Sequence, residues 1–474
     1  MMAEALWQWD ELVRAAGGTV DGATPTTAIA GFSIDTRTLQ AEDVFVALKD
    51  VRDGHDFVGQ AFAAGAATAL VSTAYVRKAG DGPLIRVADP LRALEGIARA
   101  ARARLSPQAR VIAVTGSVGK TGTTAMLRAC LERLGATHAP EKSFNNHWGV
   151  PLTLARMPRW VRFAVIEIGM NHAGEITPLT KLTRPHVALV TTVEPVHLAH
   201  FDSVEAIADA KAEIFGGLEP GGTAVINRDN AHFERLAGHA RGCGARMLSF
   251  GRHERADITP THWEIGADGS AITIAADGRG IRYMLAAPGE HLAMNSLGVV
   301  AAMTAAGLDI EAALPALRRF EVPQGRGARV VLSLPDGGKA LLIDESYNAN
   351  PASMRAALMT TATVPRTTHP RRVAVLGEML ELGVAAGDLH VGLAEPINAA
   401  GIDLVFTSGP NMRKLFDALP AERRTAWSID TDGLIGPLLG SLKDGDLVMI
   451  KGSNGARSWR IAETLRKRFA AVAA

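Results

Sequence analysis

The stretch that most limits how this chain can fold is Thr115-Gly116-Ser117-Val118-Gly119-Lys120-Thr121, a glycine-bearing turn that follows the apolar run Val111-Ile112-Ala113-Val114. Leu127, Leu131 and Leu134 then recur at helical spacing, so the turn has to join a buried strand to the N-terminus of an amphipathic helix. Each residue type in it suits a phosphate. Glycines let successive backbone N–H groups converge on an anion, a lysine supplies a mobile positive charge, and the hydroxyl of the next threonine can ligate Mg²⁺. The helix beneath adds the positive end of its dipole. Strict P-loop spacing would put a glycine at position 114, where Val114 stands, so the loop is a shortened variant. The prediction is a nucleoside triphosphate site made by Thr115, Gly116, Ser117, Gly119, Lys120, Thr121 and Gly122.

One such site accounts for little of a 474-residue chain, which is longer than one core usually supports. Apolar residues make up 47% and no low-complexity tract interrupts them, so folding throughout is expected. A net charge of +1 excludes a nucleic-acid surface that neutralises many phosphates. Arg99, Arg102, Arg104 and Arg110 do cluster, and they read as a solvated helix face. Two cysteines, Cys130 and Cys243, leave no disulfide framework and fit a reducing compartment. No basic-then-apolar leader and no long uncharged apolar run is visible, so a cytoplasmic protein without membrane insertion is expected.

Taken in order, residues 1–106 alternate short strands with Ala-rich helices. Ser33, Asp35, Thr36 and Arg37 end one of those strands; alone they read as turn chemistry, with a small anion or sugar site as the other reading. Residues 107–321 carry the P-loop, a polar loop from Lys142 to Pro151, and the apolar strand Phe163-Ala164-Val165-Ile166. That strand delivers Glu167 at its carboxyl end, where open α/β sheets hold ligands and where a carboxylate can share a phosphate-bound metal with Thr121. A second strand, Ala188 to Val193, leads to His197, which alone reads as a structural histidine. Lys211 falls mid-helix, and spacing alone makes it a solvated lysine. Pro323-Gln324-Gly325-Arg326-Gly327 marks the next boundary. Residues 322–474 then repeat a βα pattern without a P-loop, with Asp344, Tyr347-Asn348-Ala349-Asn350-Pro351, Gly377-Glu378 and Lys451-Gly452-Ser453 at its strand ends. The fold class is α/β in three domains: a small N-terminal α/β domain, a central P-loop domain with a mainly parallel sheet, and a Rossmann-like C-terminal domain able to close over the nucleotide.

Assembled, these segments resemble the Mur ligase family, the ATP-dependent amino-acid-adding enzymes of peptidoglycan synthesis, along essentially the whole chain. The resemblance rests on Ser33-Ile34-Asp35-Thr36-Arg37, Asn145-Asn146 with Gly149-Val150-Pro151, Glu167-Ile168-Gly169-Met170-Asn171-His172 with Gly174-Glu175-Ile176, Asp344 with Tyr347 to Pro351, and Leu376-Gly377-Glu378-Met379-Leu380-Glu381-Leu382-Gly383. It implies that Lys120 and Thr121 hold ATP and Mg²⁺ with Glu167 as a magnesium ligand, and that His197 and a carbamate on Lys211 support a second magnesium. It further implies Asn295 at the adenine, Arg326 at the phosphates and Asp344 at the ribose. Ser33, Asp35, Thr36 and Arg37 would then bind the UDP part of a UDP-N-acetylmuramoyl-tripeptide, and Asn145 and Asn146 would line its peptide channel. Tyr347, Asn348 and Asn350 would meet the incoming D-alanyl-D-alanine, and the enzyme would work as a monomer. Leu292, Asn454 and Ala199 depart from the family pattern. The residues leave open a sister ligase that adds another amino acid, and a nucleotide-switched binding module.

Overall fold

The computed structural model describes residues 5–25, 28–141, 143–196, 198–276 and 279–469. The first sheet has the strand order Thr19–Asp21, Leu84–Val87, Thr68–Ser72, Asp43–Val46, Gly31–Ser33; the first pair is antiparallel and the rest are parallel. The helix Pro90–Ala103 starts where its sequence dictates, with Pro90 at its first position and the Asp89 carboxylate accepting from the N–H groups of Leu91 and Arg92. Leu94, Ile97 and Ala101 on its buried side join Trp7, Leu12 and Phe32 in one core. Leu152 and Ala155 from the helix Gly149–Ala155 complete that core, and the Trp7 indole N–H donates to the Ala155 carbonyl at 2.9 Å. The first unit is thus packed through a helix of the second.

Two of the arginines expected on a solvated face, Arg102 and Arg104, serve that junction instead, whereas Arg99 is exposed as expected. Arg102 is 8% exposed and donates to the carbonyls of Thr183 and Arg184, and Arg104 stacks on the Trp7 ring at 3.7 Å. Their charged heads find carbonyls and an aromatic face because helix Pro90–Ala103 lies between two units, a position that residue spacing does not reveal.

The second unit is a parallel sheet in the order Arg246–Phe250, Thr223–Asn227, Val187–Val190, Arg110–Thr115, Phe163–Glu167, Thr137–His138. Its central strands are buried on both faces, as their unbroken apolar runs require. Helices Lys120–Glu132 and Glu290–Ala305 cover one face together with the antiparallel strands Pro260–Ile265, Ser270–Ala276 and Arg279–Leu285. Helices Ile176–Thr183, Val204–Ala212 and Phe233–Gly242 cover the other. Among the described residues no helix is long and apolar enough to cross a membrane. Cys130 is buried and Cys243 exposed, and neither is in a disulfide.

The third sheet runs Ala328–Ser333, Lys339–Glu345, Asp446–Lys451, Arg371–Gly377, Leu404–Ser408, Arg424–Ser428, antiparallel only at its first pair. The sequence pattern revealed its four central strands and missed the two edges, whose half-exposed residues lack a clean apolar run. Gly325 and Gly327 on the connecting segment have φ of 77° and 106°, which only glycine adopts without strain. They turn the chain so that the carboxyl ends of the second and third sheets face one cleft of about 1710 Å³.

One half-buried histidine on an edge strand contributes to making the fold sensitive to acid. The His138 Nε2–H donates to the Thr153 carbonyl at 2.7 Å, and burial pushes the imidazole down from 6.5 to about 4. Between those values the unfolded chain binds a proton that the folded one refuses, so stability falls as pH drops through the window. Urea unfolding at stepped pH should show that decline from about 6.5 to about 4, and His138→Gln, which keeps a donor and cannot titrate, should lessen it, the rest coming from His186, His291 and His390, which burial also lowers.

Candidate active site

The strand Arg110–Thr115 ends in the glycine turn, and helix Lys120–Glu132 begins with Gly119 at φ 85°. No side chain fits at two points of the turn. A Cβ on Gly116 would lie 1.9 Å from Thr191 Oγ1, and one on Gly119 would lie 2.7 Å from Asn295 Oδ1. Thr191 fastens the turn from below, its N–H donating to the Thr115 carbonyl at 2.9 Å and its hydroxyl to the Val118 carbonyl at 2.5 Å. Ser117 fastens it from the side: its hydroxyl donates to the Glu194 carbonyl at 3.1 Å and accepts from the Glu194 N–H at 2.9 Å. Ser117, Gly119, Lys120, Thr121 and Gly122 line the cleft, whereas Thr115 and Gly116 lie beneath it. The Lys120 ammonium donates to the Gly116 carbonyl at 2.6 Å. Burial lowers its pKa, which Glu167 opposes and Arg326 reinforces.

Glu167 is 1% exposed at the end of the strand Phe163–Glu167. Its Oε1 accepts from Asn145 Nδ2 at 2.6 Å, while Oε2 is buried without a hydrogen-bond partner among the described residues. A buried carboxylate oxygen with no donor is costly unless a cation serves it. The Thr121 hydroxyl pairs with Ser143 Oγ at 3.2 Å, and Arg326 Nη2 donates to that same Ser143 Oγ at 3.2 Å. Ser143 therefore links the P-loop to the start of the third unit, a role that its place in a polar loop did not disclose. Arg326 also stacks on the Tyr347 ring at 4.1 Å.

Lys211 is not solvated. It is 2% exposed, makes no hydrogen bond or ion pair among the described residues, and has a pKa well below 10.5 through burial first and the charge of Lys120 second. Helix Val204–Ala212 is rich in small residues and shares one core with the sheet and with helix Phe233–Gly242, which draws the lysine inside. Its amine is thereby favoured in the neutral form. His197 lies outside the described residues.

Across the cleft stand Arg326, Tyr347, Asn348 and Asn350, and Asn295 stands beside Gly119. Asn350 caps the helix Pro351–Ala362, accepting from the Ser353 N–H at 2.9 Å. Asp344, expected at the nucleotide, also stands away from the cleft. It is fully buried, ion-paired to Arg466 and bonded by Ser346, and it is not on the cleft wall; Glu345 and Lys451 are. Strand alternation turns Asp344 to the opposite face from Glu345.

The loop after Ser143 connects this cleft to a second cavity of about 1040 Å³ in the first unit. Asn145 lines the main cleft, Asn146 accepts from the Gly149 N–H at 2.9 Å, and His147 and Trp148 line the second cavity. Asp35, Thr36 and Arg37 stand on its opposite wall, Arg37 chelating Asp35 with Nη2 to Oδ2 at 2.6 Å. Ser33 is 1% exposed and braces the turn by donating to the Asp35 carbonyl at 3.0 Å, so it does not reach the cavity.

A P-loop sheet with a buried carboxylate one strand away, facing a second nucleotide-type sheet that lacks a P-loop, defines the class. The chain matches the Mur ligase middle domain over residues 114–303 and the Mur ligase, glutamate ligase domain over residues 318–454, and it belongs to the Mur ligase family. It is 33% identical to the UDP-N-acetylmuramoyl-tripeptide--D-alanyl-D-alanine ligase of Escherichia coli (strain K12), over 96% of this chain and 98% of that one. The ligase of the same name from Bacillus subtilis (strain 168) is also 33% identical, with 93% of each chain covered. Among solved structures, MurF from Acinetobacter baumannii superposes with a TM-score of 0.82 at 28% identity, covering 97% of this chain and 99% of that one. The three-domain α/β architecture is common to this chain and that structure.

Proposed function

We propose that this chain is an ATP-dependent ligase that joins UDP-N-acetylmuramoyl-tripeptide to D-alanyl-D-alanine in peptidoglycan precursor synthesis. The near full-length similarity to ligases of that name supports the substrates. The observation that carries the chemistry is one cleft that holds the P-loop, the half-satisfied Glu167 carboxylate and the Tyr347 to Asn350 loop together. We assign residues 1–106 to the UDP end of the substrate, 107–321 to ATP and 322–474 to the incoming dipeptide. The division suits a tripeptide that runs along the Asn145 to Trp148 loop from one cavity to the other.

A carboxylate resists attack by an amine, so it has to be activated first. The γ-phosphate of ATP supplies an acyl phosphate, with ADP leaving; the dipeptide amine then adds to the carbonyl and phosphate departs. Lys120 and Arg326 bring positive charge to the phosphates where two anions must meet. The Thr121 hydroxyl and the unpartnered Glu167 oxygen fit Mg²⁺, which would be held by one carboxylate, a hydroxyl and the substrate phosphates. When bound it would screen the repulsion between the phosphate and the substrate carboxylate. Asn295 supports the nucleotide beside Gly119, and the third unit excludes the water that would hydrolyse an acyl phosphate. Asp344, tied to Arg466, supports the wall that Glu345 presents. We place the reaction in the cytoplasm, carried out by a monomer.

A neutral buried amine is also the form that adds CO₂, losing a proton as the C–N bond forms, and we assign Lys211 as a carbamate that places an anion next to Lys120. In ¹³C-bicarbonate the protein should show a carbamate carbon signal that Lys211→Ala abolishes together with most activity. A retained signal, or full activity in Lys211→Ala, removes that assignment.

The ligase reading is tested by ATP-dependent phosphate release with UDP-N-acetylmuramoyl-tripeptide, with and without D-alanyl-D-alanine, followed by product mass. Release should require both substrates and give the pentapeptide precursor. Phosphate released equally without the dipeptide, or no joined product, contradicts it.

A further inference from the structure

The wall that faces the P-loop is assembled on one turn, Lys451-Gly452-Ser453, directly after the strand Asp446–Lys451. Lys451 is 3% exposed yet belongs to the cleft wall. Its Nζ donates to the Asn348 carbonyl at 2.9 Å and lies 3.4 Å from Glu345 Oε2. Two residues on, the Ser453 hydroxyl donates to the Ala349 carbonyl at 3.2 Å and accepts from the Leu380 N–H at 2.9 Å. The same turn therefore secures the Tyr347 to Asn350 loop and the loop after Glu378.

Each residue of the first loop has its own fastening. The Tyr347 N–H donates to the Gly325 carbonyl at 3.0 Å, Asn348 is held by Lys451, Ala349 by Ser453, and Asn350 caps the helix that follows. With the backbone fixed, the Asn348 side chain is exposed at the cleft and makes no hydrogen bond among the described residues. An amide with both ends available, on an immobile backbone, suits an amine or carboxylate that has to be placed against an acyl phosphate. Burying an ammonium for packing alone is poor economy in a fold, since an apolar side chain of that length would fill the same space without desolvating a charge.

Building on the ligase reading, we propose that Lys451 is a positioning residue for the amine-bearing substrate: it fixes the Asn348 carbonyl, and through that backbone holds the Asn348 amide where the dipeptide docks. Activation of the tripeptide takes place on the other side of the cleft and does not pass through Lys451. The two halves of the reaction are thus separable by substitution at this position.

The test uses the full-length enzyme with steady-state kinetics for all three substrates, plus trapping of the acyl phosphate as a hydroxamate by hydroxylamine in the absence of dipeptide. Lys451→Met should raise KM for D-alanyl-D-alanine by about tenfold or more and leave KM for ATP and for the tripeptide within about twofold. Hydroxamate formation, dependent on ATP and tripeptide, should persist at the wild-type rate. Asn348→Ala should give the same selective defect, and the double variant should fall no further than the worse single one. Ser453→Ala, which removes a neutral contact, should move KM in the same direction by less, and it carries the test with Asn348→Ala if Lys451→Met does not fold. An unchanged dipeptide KM, or three KM values rising together, overturns the role of Lys451. Failure of the wild-type enzyme to form product with tripeptide and dipeptide would instead overturn the ligase reading.

Discussion

Everything in this protein is arranged around a backbone turn that has no room for a side chain at two of its positions. Gly116 is pressed against Thr191 and Gly119 against Asn295, so the loop can keep its shape only if the next strand and the helix Glu290–Ala305 arrive at fixed positions. That demand explains the parallel sheet with Arg110–Thr115 at its centre, and it explains why a long, largely buried helix is packed on the same face as the P-loop helix. Two neighbours then follow from strand order alone: Glu167 from one side and Thr191 with Glu194 from the other.

The electrostatics follow from the same placement. Lys120 and Arg326 bring positive charge near one recessed carboxylate that has an unpartnered oxygen, while burial drives Lys211, beside Lys120, toward its neutral form. Positive charge accumulated around a concave phosphate cradle suits a reaction in which two anions must be brought together. The third unit contributes Arg326, set between two glycines whose backbone conformations let the chain reverse between sheets while the arginine reaches Ser143, together with Lys451 on the facing wall.

Much of this was legible in the residues. The P-loop announces itself because strand, turn and helix are contiguous, and Glu167 and the loops of the third unit because apolar strands end abruptly in polar residues. What depended on packing between distant segments was not legible. Lys211 has the spacing of a surface lysine and becomes buried only when its helix meets the sheet. Arg102 and Arg104 have the spacing of a solvated face and turn out to bind carbonyls and an indole at a domain junction. Asp344 sits in a motif with a cleft on one side, and only strand alternation decides that it faces Arg466 instead. Ser33 and Asn146 likewise spend their side chains on local turns, while their neighbours line the cavities.

The central claim is that the two sides of the cleft carry out phosphoryl transfer to a carboxylate, and isotope transfer tests it most directly. UDP-N-acetylmuramoyl-tripeptide labelled with ¹⁸O in its terminal carboxylate would be turned over with ATP and D-alanyl-D-alanine, and the released phosphate analysed by mass. Activation through an acyl phosphate predicts one ¹⁸O in each phosphate formed. Joined product accompanied by unlabelled phosphate would show that the carboxylate never bonded to phosphorus and would contradict the account.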